Sequence, residues 1–230
     1  MPKWLCLLLF FIKIMQVQPQ STNFINQQRL DPLLINGKIY DYQKPPQALG
    51  SQYFAELGFR IGQVTIDTMA FDRILLNYDV FNQKLVIQFT NKAGGTSLLS
   101  ESQAWLKSFI LEGRLFVLIM HDDSSKRIYQ VLGKGKTQLL FYYSKELRLD
   151  NPSSASKIYA FSPLKRNSYI KTGEKILAYR TNKGFLAAFD KTLQPKIKAY
   201  LKEHHIKVRK ADDRILEALI DYCNTLQHDD

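Results

Sequence analysis

Two rhythms of apolar and polar residues divide the chain. From Phe59 to about residue 150, short runs rich in Val, Ile, Phe and Tyr alternate with polar turns: FRIGQVTID, RILLNYDVF, KLVIQFTN, WLKSFILE, RLFVLIMHD, KRIYQVLGKG and KTQLLFYYSKEL. β-Branched and aromatic residues suit a pleated, half-buried surface, and such runs bounded by turn residues read as strands. Parallel neighbours need long crossovers, so connections this short predict an antiparallel meander. RILLNYDVF and KLVIQFTN form a hairpin through Asn82-Gln83, because Asn tolerates positive φ. AGGTS ends that hairpin, and Glu112-Gly113 joins the next pair.

Towards the C-terminus the period lengthens. FLAAFDKTL and PKIKAYLKEHH space apolar residues three and four apart, and Ala211-Asp212-Asp213 opens RILEALIDYCNTL with acidic residues where a helix N-terminus favours them. The pattern predicts a helical segment over about 184–227. Between the two regions, DNPSSAS is a turn-rich linker and the best boundary candidate, followed by KIYAFSPL and KILAYRT, which can add a strand or two. Residues 22–50 are rich in Asn and Gln and carry Pro32, Pro45 and Pro46, which predicts an irregular lead-in with one short strand at LLINGKIYDY. The expected fold class is α+β: an antiparallel β-meander sheet, curled where it covers an apolar face, followed by packed C-terminal helices. The expected division is 1–20 leader, 21–58 lead-in, 59–150 sheet, and 151–230 strands plus helices.

The first residues, MPKWLCLLLFFIKIMQVQPQS, place Lys3 before an apolar run from Trp4 to Met15 and then turn abruptly polar. That is the layout of a secretory signal peptide, and it is short of the roughly 20 apolar residues of a spanning helix. Lys13 interrupts the run and QVQPQS lacks a small-x-small cleavage site, which leaves a retained anchor or a buried N-terminal element as alternatives. Cys6 lies inside the run, too early to be the lipid-bearing cysteine of a lipoprotein. Cleavage near residue 20 removes Lys3, Lys13 and Cys6, leaving 30 basic against 21 acidic residues, a net charge of +9. Cys223 is then alone, so no internal disulfide can form and the core must stabilise the protein. At 45% hydrophobic and 12% aromatic the composition is that of a folded chain.

Little in the sequence points to catalysis. Gly135-Lys136-Thr137 would be a phosphate loop only with glycine at position 130, which is Gln130, and QLLFYYSKEL behind it is strand-like where a helix is required. A Gly-Lys-Gly hairpin turn is the expectation. His121-Asp122-Asp123 reads as a polar strand end, since adjacent strand residues face opposite ways. His204-His205 falls where a helix should end. No HExxH spacing, paired Cys/His set or Gly-x-Ser-x-Gly elbow occurs, so no catalytic residue, metal or cofactor is expected. Tyr40, Tyr42, Tyr53, Tyr78, Tyr142, Tyr143 and Tyr159 supply amphipathic aromatics for a binding surface or for strands with one wet end.

The strongest remaining signal is charge. Lys191, Lys196, Lys198, Lys202, Lys207, Arg209 and Lys210 fall in a short stretch with Tyr200 and two histidines. Ile197, Tyr200 and Leu201 make one face of the helix there, while Lys198 and Lys202 stand on another. The candidate binding surface is Lys196, Lys198, Lys202, Lys207, Arg209 and Lys210, suited to an acidic partner such as anionic lipid, lipopolysaccharide or an envelope protein. A solvated helix face is the alternative. Nucleic acid is not expected behind a signal peptide, and no nucleic-acid-binding module is present.

ILLNYDVFNQKLVIQF, YQVLGKGKTQLLFYYSKEL and the stretch from YIKTGEKILAYRTNKG to LIDYCNTL together resemble uncharacterised exported proteins of the Bacteroidota. These pair a β-rich first part, containing a Tyr-Asp-x-Phe/Tyr-Asn hairpin, with a terminal helical segment that ends in a Tyr-x-Asn element. The resemblance covers roughly 59 to 226. It implies a periplasmic or outer-membrane-associated location and no known activity. The expected function is a non-enzymatic binding or scaffold module of the cell envelope. A lipid or lipopolysaccharide carrier with an apolar cavity between sheet and helices, and a hydrolase with His121 beside a serine or carboxylate, are the alternatives.

Overall fold

The computed structural model describes residue 34 and residues 37–91, 93–150 and 158–227. The expected leader, most of the lead-in before residue 37, nearly all of the DNPSSAS linker and His228 lie outside the described residues.

Eleven strands form one antiparallel sheet: β1 (Lys38–Ile39), β2 (Arg60–Ile66), β3 (Met69–Asp79), β4 (Lys84–Thr90), β5 (Thr96–Ser100), β6 (Leu106–Leu111), β7 (Arg114–Met120), β8 (Lys126–Leu132), β9 (Thr137–Ser144), β12 (Lys165–Thr172) and β13 (Lys175–Tyr179). A separate two-stranded sheet joins β10 (Leu147–Leu149) to β11 (Tyr159–Phe161). The order across the large sheet is β1-β5-β4-β3-β2-β6-β7-β8-β9-β12-β13, so among the described residues β1 and β13 are the edges and the sheet is not closed. With the helices α1 (Asn182–Leu186), α2 (Gln194–Glu203) and α3 (Asp213–Leu226), the α+β meander expected from the sequence is present.

The sheet is strongly curled. β5 and β6 are consecutive in the chain but four places apart in the sheet, a separation of about 19 Å if the sheet were flat. The link between them contains a compact turn, in which the Leu106 N–H donates to the Ser102 carbonyl at 3.1 Å, and a turn cannot span that distance. Gln83, in the β3–β4 turn, confirms the curl by donating through Nε2 to the Tyr143 carbonyl of β9 at 2.9 Å. On the concave face, register partners Val64, Phe109, Phe116, Gln130 and Phe141 run across β2, β6, β7, β8 and β9. Phe109 stacks on Phe116 at 4.8 Å between ring centroids.

Three local expectations change. β5 was hidden behind AGGTS, because Leu98 and Leu99 are too few to show a period. The hairpin loop is Val80 to Gln83, and Gln83, not Asn82, takes the positive φ of 56°. Asn82 instead serves the buried Asp79, which accepts from the Phe81 N–H (3.0 Å), the Asn82 N–H (2.8 Å) and Asn82 Nδ2 (2.8 Å), as well as from the Tyr40 hydroxyl. The Tyr-Asp-x-Phe-Asn element is thus a turn clamp. In FLAAFDKTL the helical spacing buries Phe185, Phe189 and Leu193, but α1 ends at Leu186. The bonds that follow, Ala188 N–H to Phe185 O (3.2 Å) and Phe189 N–H to Leu186 O (3.1 Å), are i→i−3 turns.

The sheet continues past the linker: β12 pairs with β9 from Lys165↔Ser144 to Thr172↔Thr137. α3 packs on β8 and β9 through Leu216, Leu219, Ile220, Cys223 and Asn224, a stripe at spacings of three and four. Asp212 caps it, its Oδ1 accepting from the Ile215 N–H at 2.9 Å. Burial pushes the Cys223 thiol up to about 12, so it packs as a small hydrophobe.

Candidate functional site

The Gly-Lys-Gly-Lys-Thr stretch is the β8–β9 turn and the seat of α3. The Thr137 N–H donates to Asn224 Oδ1 at 3.0 Å, and Asn224 Nδ2 donates to the Thr137 carbonyl at 2.9 Å, so one side chain pairs with a residue's backbone as a strand would. A Cβ on Gly135 would stand 2.2 Å from the Asn224 side-chain carbon. Glycine is required there so that the helix can approach, and the turn holds no phosphate cradle.

His121 lies on the convex face, away from the helices. Its Nδ1 is 2.6 Å from the Tyr129 hydroxyl and its ring meets Tyr169 edge-on at 5.7 Å. Partial burial lowers its pKa, aided by the charge of Arg127. Among the described residues no serine or carboxylate hydrogen-bonds the ring. Asp122 instead folds the following turn, accepting from the Ser125 hydroxyl (2.7 Å) and from the backbone N–H groups of Ser124 (3.0 Å) and Ser125 (2.8 Å), contacts that depress its pKa, the Ser125 hydroxyl most of all. Among the described residues no group of three or more His, Cys, Asp or Glu is placed to hold a metal.

The basic residues come together in the helical layer. α2 starts at Gln194-Pro195, where proline's missing N–H costs nothing. It ends in a Schellman motif: the Ile206 N–H reaches back to the Leu201 carbonyl at 2.8 Å while His205 takes φ 52°. His204-His205 is therefore a helix stop, and the His204 ring lies tilted against Tyr200 with ring centroids 4.2 Å apart. The chain then turns back under α1, held by Asn182, whose Nδ2 donates to the Ile206 carbonyl (2.7 Å) and whose Oδ1 accepts from the Val208 N–H (3.0 Å).

Between α1 and α2 this arrangement leaves an open groove of about 1160 Å³. Its walls are Leu186, Ala187, Pro195, Leu201 and Ile206, and its rim carries Lys183, Lys191, Lys198, Lys202, Lys207 and His205. No carboxylate lines it, and none of the five lysines is in an ion pair among the described residues. An apolar floor under a ring of unneutralised ammonium groups is matched by a ligand with an acyl or other apolar part and an anionic head. The sheet-facing side of the same layer is filled by Phe185, Phe189, Leu193, Ile197 and Leu201, so the apolar recess opens at the surface and not between sheet and helices.

Of the six basic residues singled out from sequence, Lys198, Lys202 and Lys207 line the groove. Arg209 lines a separate notch, and Lys196 and Lys210 border neither. Lys183 was missed because it lies on α1, outside the basic run, and only the packing of α1 against α2 brings it to the rim. Comparison with protein-family models, curated proteins and solved structures finds no match for this chain.

Proposed function

We propose that this protein is an exported cell-envelope protein that binds without catalysing, and that the groove between α1 and α2 holds an anionic amphiphile, an acidic lipid at a membrane surface. The observation that carries the reading is the composition of the groove among the described residues: five lysines and no carboxylate around apolar walls. Each lysine near an anionic surface is worth about 1 kcal/mol, so five acting together supply selective attachment. The signal-peptide layout of residues 1–20 supports delivery to the periplasm or the outer membrane. No helix among the described residues is long and apolar enough to cross a membrane, which suits attachment through a surface groove.

Vesicle co-sedimentation tests this directly. The protein should pellet with phosphatidylcholine vesicles containing phosphatidylglycerol and stay in solution with phosphatidylcholine alone. The Lys198→Glu, Lys202→Glu variant should lose that attachment. Equal binding to both vesicle types, or attachment unaffected by the double reversal, would overturn the proposal.

A further inference from the structure

A second basic recess lies where β13 ends. β13 pairs with β12 only as far as Ser168↔Tyr179, so residues 165–167 of β12 have no partner from β13 on that side, and the turn through Val208, Arg209 and Ala211 closes over the gap. The resulting notch of about 570 Å³ is lined by Lys165, Arg166, Arg180 and Arg209 and, among the described residues, by no carboxylate. Lys165, Arg180 and Arg209 make no ion pair among the described residues.

Arg166 is held in place from behind. One nitrogen meets Asp213 Oδ1 at 2.9 Å and its guanidinium carbon lies 3.5 Å from the centre of the Phe141 ring. Asp213 is itself fixed by Gln130 Nε2 at 2.6 Å and lies 3.5 Å from Arg114 Nε. Asp213 engages one nitrogen of a five-donor fork, and the fork is pre-oriented. Behind it Tyr179, 3% exposed, also lines the notch, and its hydroxyl is sealed from water without a hydrogen-bond partner. Ser168, its register partner, is near enough to influence the phenol, yet the two hydroxyls make no hydrogen bond of acceptable geometry. Burial pushes the Tyr179 pKa up to about 12, so the group is a donor at physiological pH. A buried donor with no acceptor is costly, and here it lines the same notch as Lys165, Arg180 and Arg209, none of which has an anionic partner among the described residues.

We infer that the notch formed by Lys165, Arg166, Arg180, Arg209 and Tyr179 is a binding site for a phosphate group, separate from the groove between α1 and α2. Arginine forks match the oxygens of a tetrahedral oxyanion, and lysine adds a point charge. The volume exceeds what a bare phosphate fills and lies within the range of small-molecule sites, so the phosphate arrives either free or as the ester of a small headgroup.

Isothermal titration calorimetry at constant ionic strength decides this, with inorganic phosphate as one probe and glycerol 3-phosphate as the other, each on the wild type and on two variants. Arg180→Gln with Arg209→Gln removes two exposed cations and leaves the core intact. Tyr179→Phe keeps the ring against Phe185, 5.5 Å away, and deletes only the donor. Millimolar or tighter binding of either probe is expected, with affinity falling at least tenfold in the double arginine variant and about fivefold in Tyr179→Phe. Equal affinity for the two probes identifies free phosphate as the ligand, and glycerol 3-phosphate binding at least tenfold tighter identifies a headgroup ester. Absence of heat from both probes, or affinities unchanged in the double arginine variant, would overturn the inference. The groove variant Lys198→Glu, Lys202→Glu should bind both probes as the wild type does, which separates this site from the proposed lipid groove. A phosphate affinity lost with the groove lysines instead would assign the anion to the groove and sink the notch.

Discussion

The two ends of the helical layer are built on opposite principles. α3 is joined to the sheet by polar clamps whose every partner is inside the protein: Asn224 on Thr137 at one end, and Asp213 among Arg166, Arg114 and Gln130 at the other. α1 and α2 meet the core through Phe185, Ile197 and Leu201, and among the described residues none of their lysines is in an ion pair. A satisfied buried network positions an element in one way only. Unpaired cations add little to folding and are free for something else. α3 therefore sets the geometry of the fold, and α1 with α2 presents a surface.

The largest effects should fall on the α3 side. Asn224→Ala strands both the N–H and the carbonyl of Thr137 in a buried place, a loss of about 3 kcal/mol in urea denaturation. Gly135→Ala should cost about as much, because its methyl group collides with the Asn224 amide. In an Asn224→Ala background the collision is gone, and Gly135→Ala should then cost under about 1 kcal/mol. Additive losses in that cycle would mean that the turn and helix are not coupled as described.

Glu101 provides a control remote from the helical layer. It is 6% exposed, Oε1 has no hydrogen-bond partner, and burial pushes its pKa from 4.5 to about 7. Between those values the folded protein holds a proton that the unfolded chain has released. The favourable contribution is therefore complete below pH 4.5 and is lost as pH rises to about 7, an effect of up to about 3 kcal/mol. Glu101→Gln should flatten that part of the stability–pH curve and leave vesicle and phosphate binding alone. A curve with the wild-type slope would show that Glu101 is not the group that titrates.

On the α1–α2 side the signs reverse. Lys198→Glu with Lys202→Glu should change stability by no more than about 0.5 kcal/mol per site, as expected of exposed residues without partners. The same pair should lower affinity for phosphatidylglycerol vesicles at least tenfold, about 1.4 kcal/mol. A large stability loss would remove the contrast between the two ends. The smallest effect is at the helix stop, where His205→Gly relieves a positive φ of 52°. It should add about 0.5–1 kcal/mol to stability, read from the urea midpoint.

Much of the fold was legible locally. The strand runs were visible because each is a short stretch dense in Val, Ile, Leu, Phe and Tyr bounded by turn residues, and in strands such as β4 and β8 consecutive residues are buried. RILEALIDYCNTL was visible because its apolar residues recur at three and four. β5 was invisible because it is a short strand near an edge, and α1 was overextended because tight turns can bury Phe185, Phe189 and Leu193 at the same spacing a helix would use. The site was only half legible. Lys198, Lys202 and Lys207 stand in a dense run, whereas Lys183 lies at a distance in sequence and Arg180, Lys165 and Arg166 carry no local mark.

What the sequence determined by itself was the class of the chain: two periodicities, turn residues between the runs, a surplus of positive charge and nothing resembling catalytic spacing. These are properties of neighbouring residues, set by propensity and by alternation in and out of water. Tertiary structure alone decided that the sheet curls until Gln83 reaches Tyr143, that Gly135 serves Asn224, and that lysines from α1 and α2 share one groove while β12, β13 and the Arg209 turn enclose another. Each of these joins residues far apart in the chain. Such meetings depend on how packed layers close around a common core, and no local pattern encodes that closure.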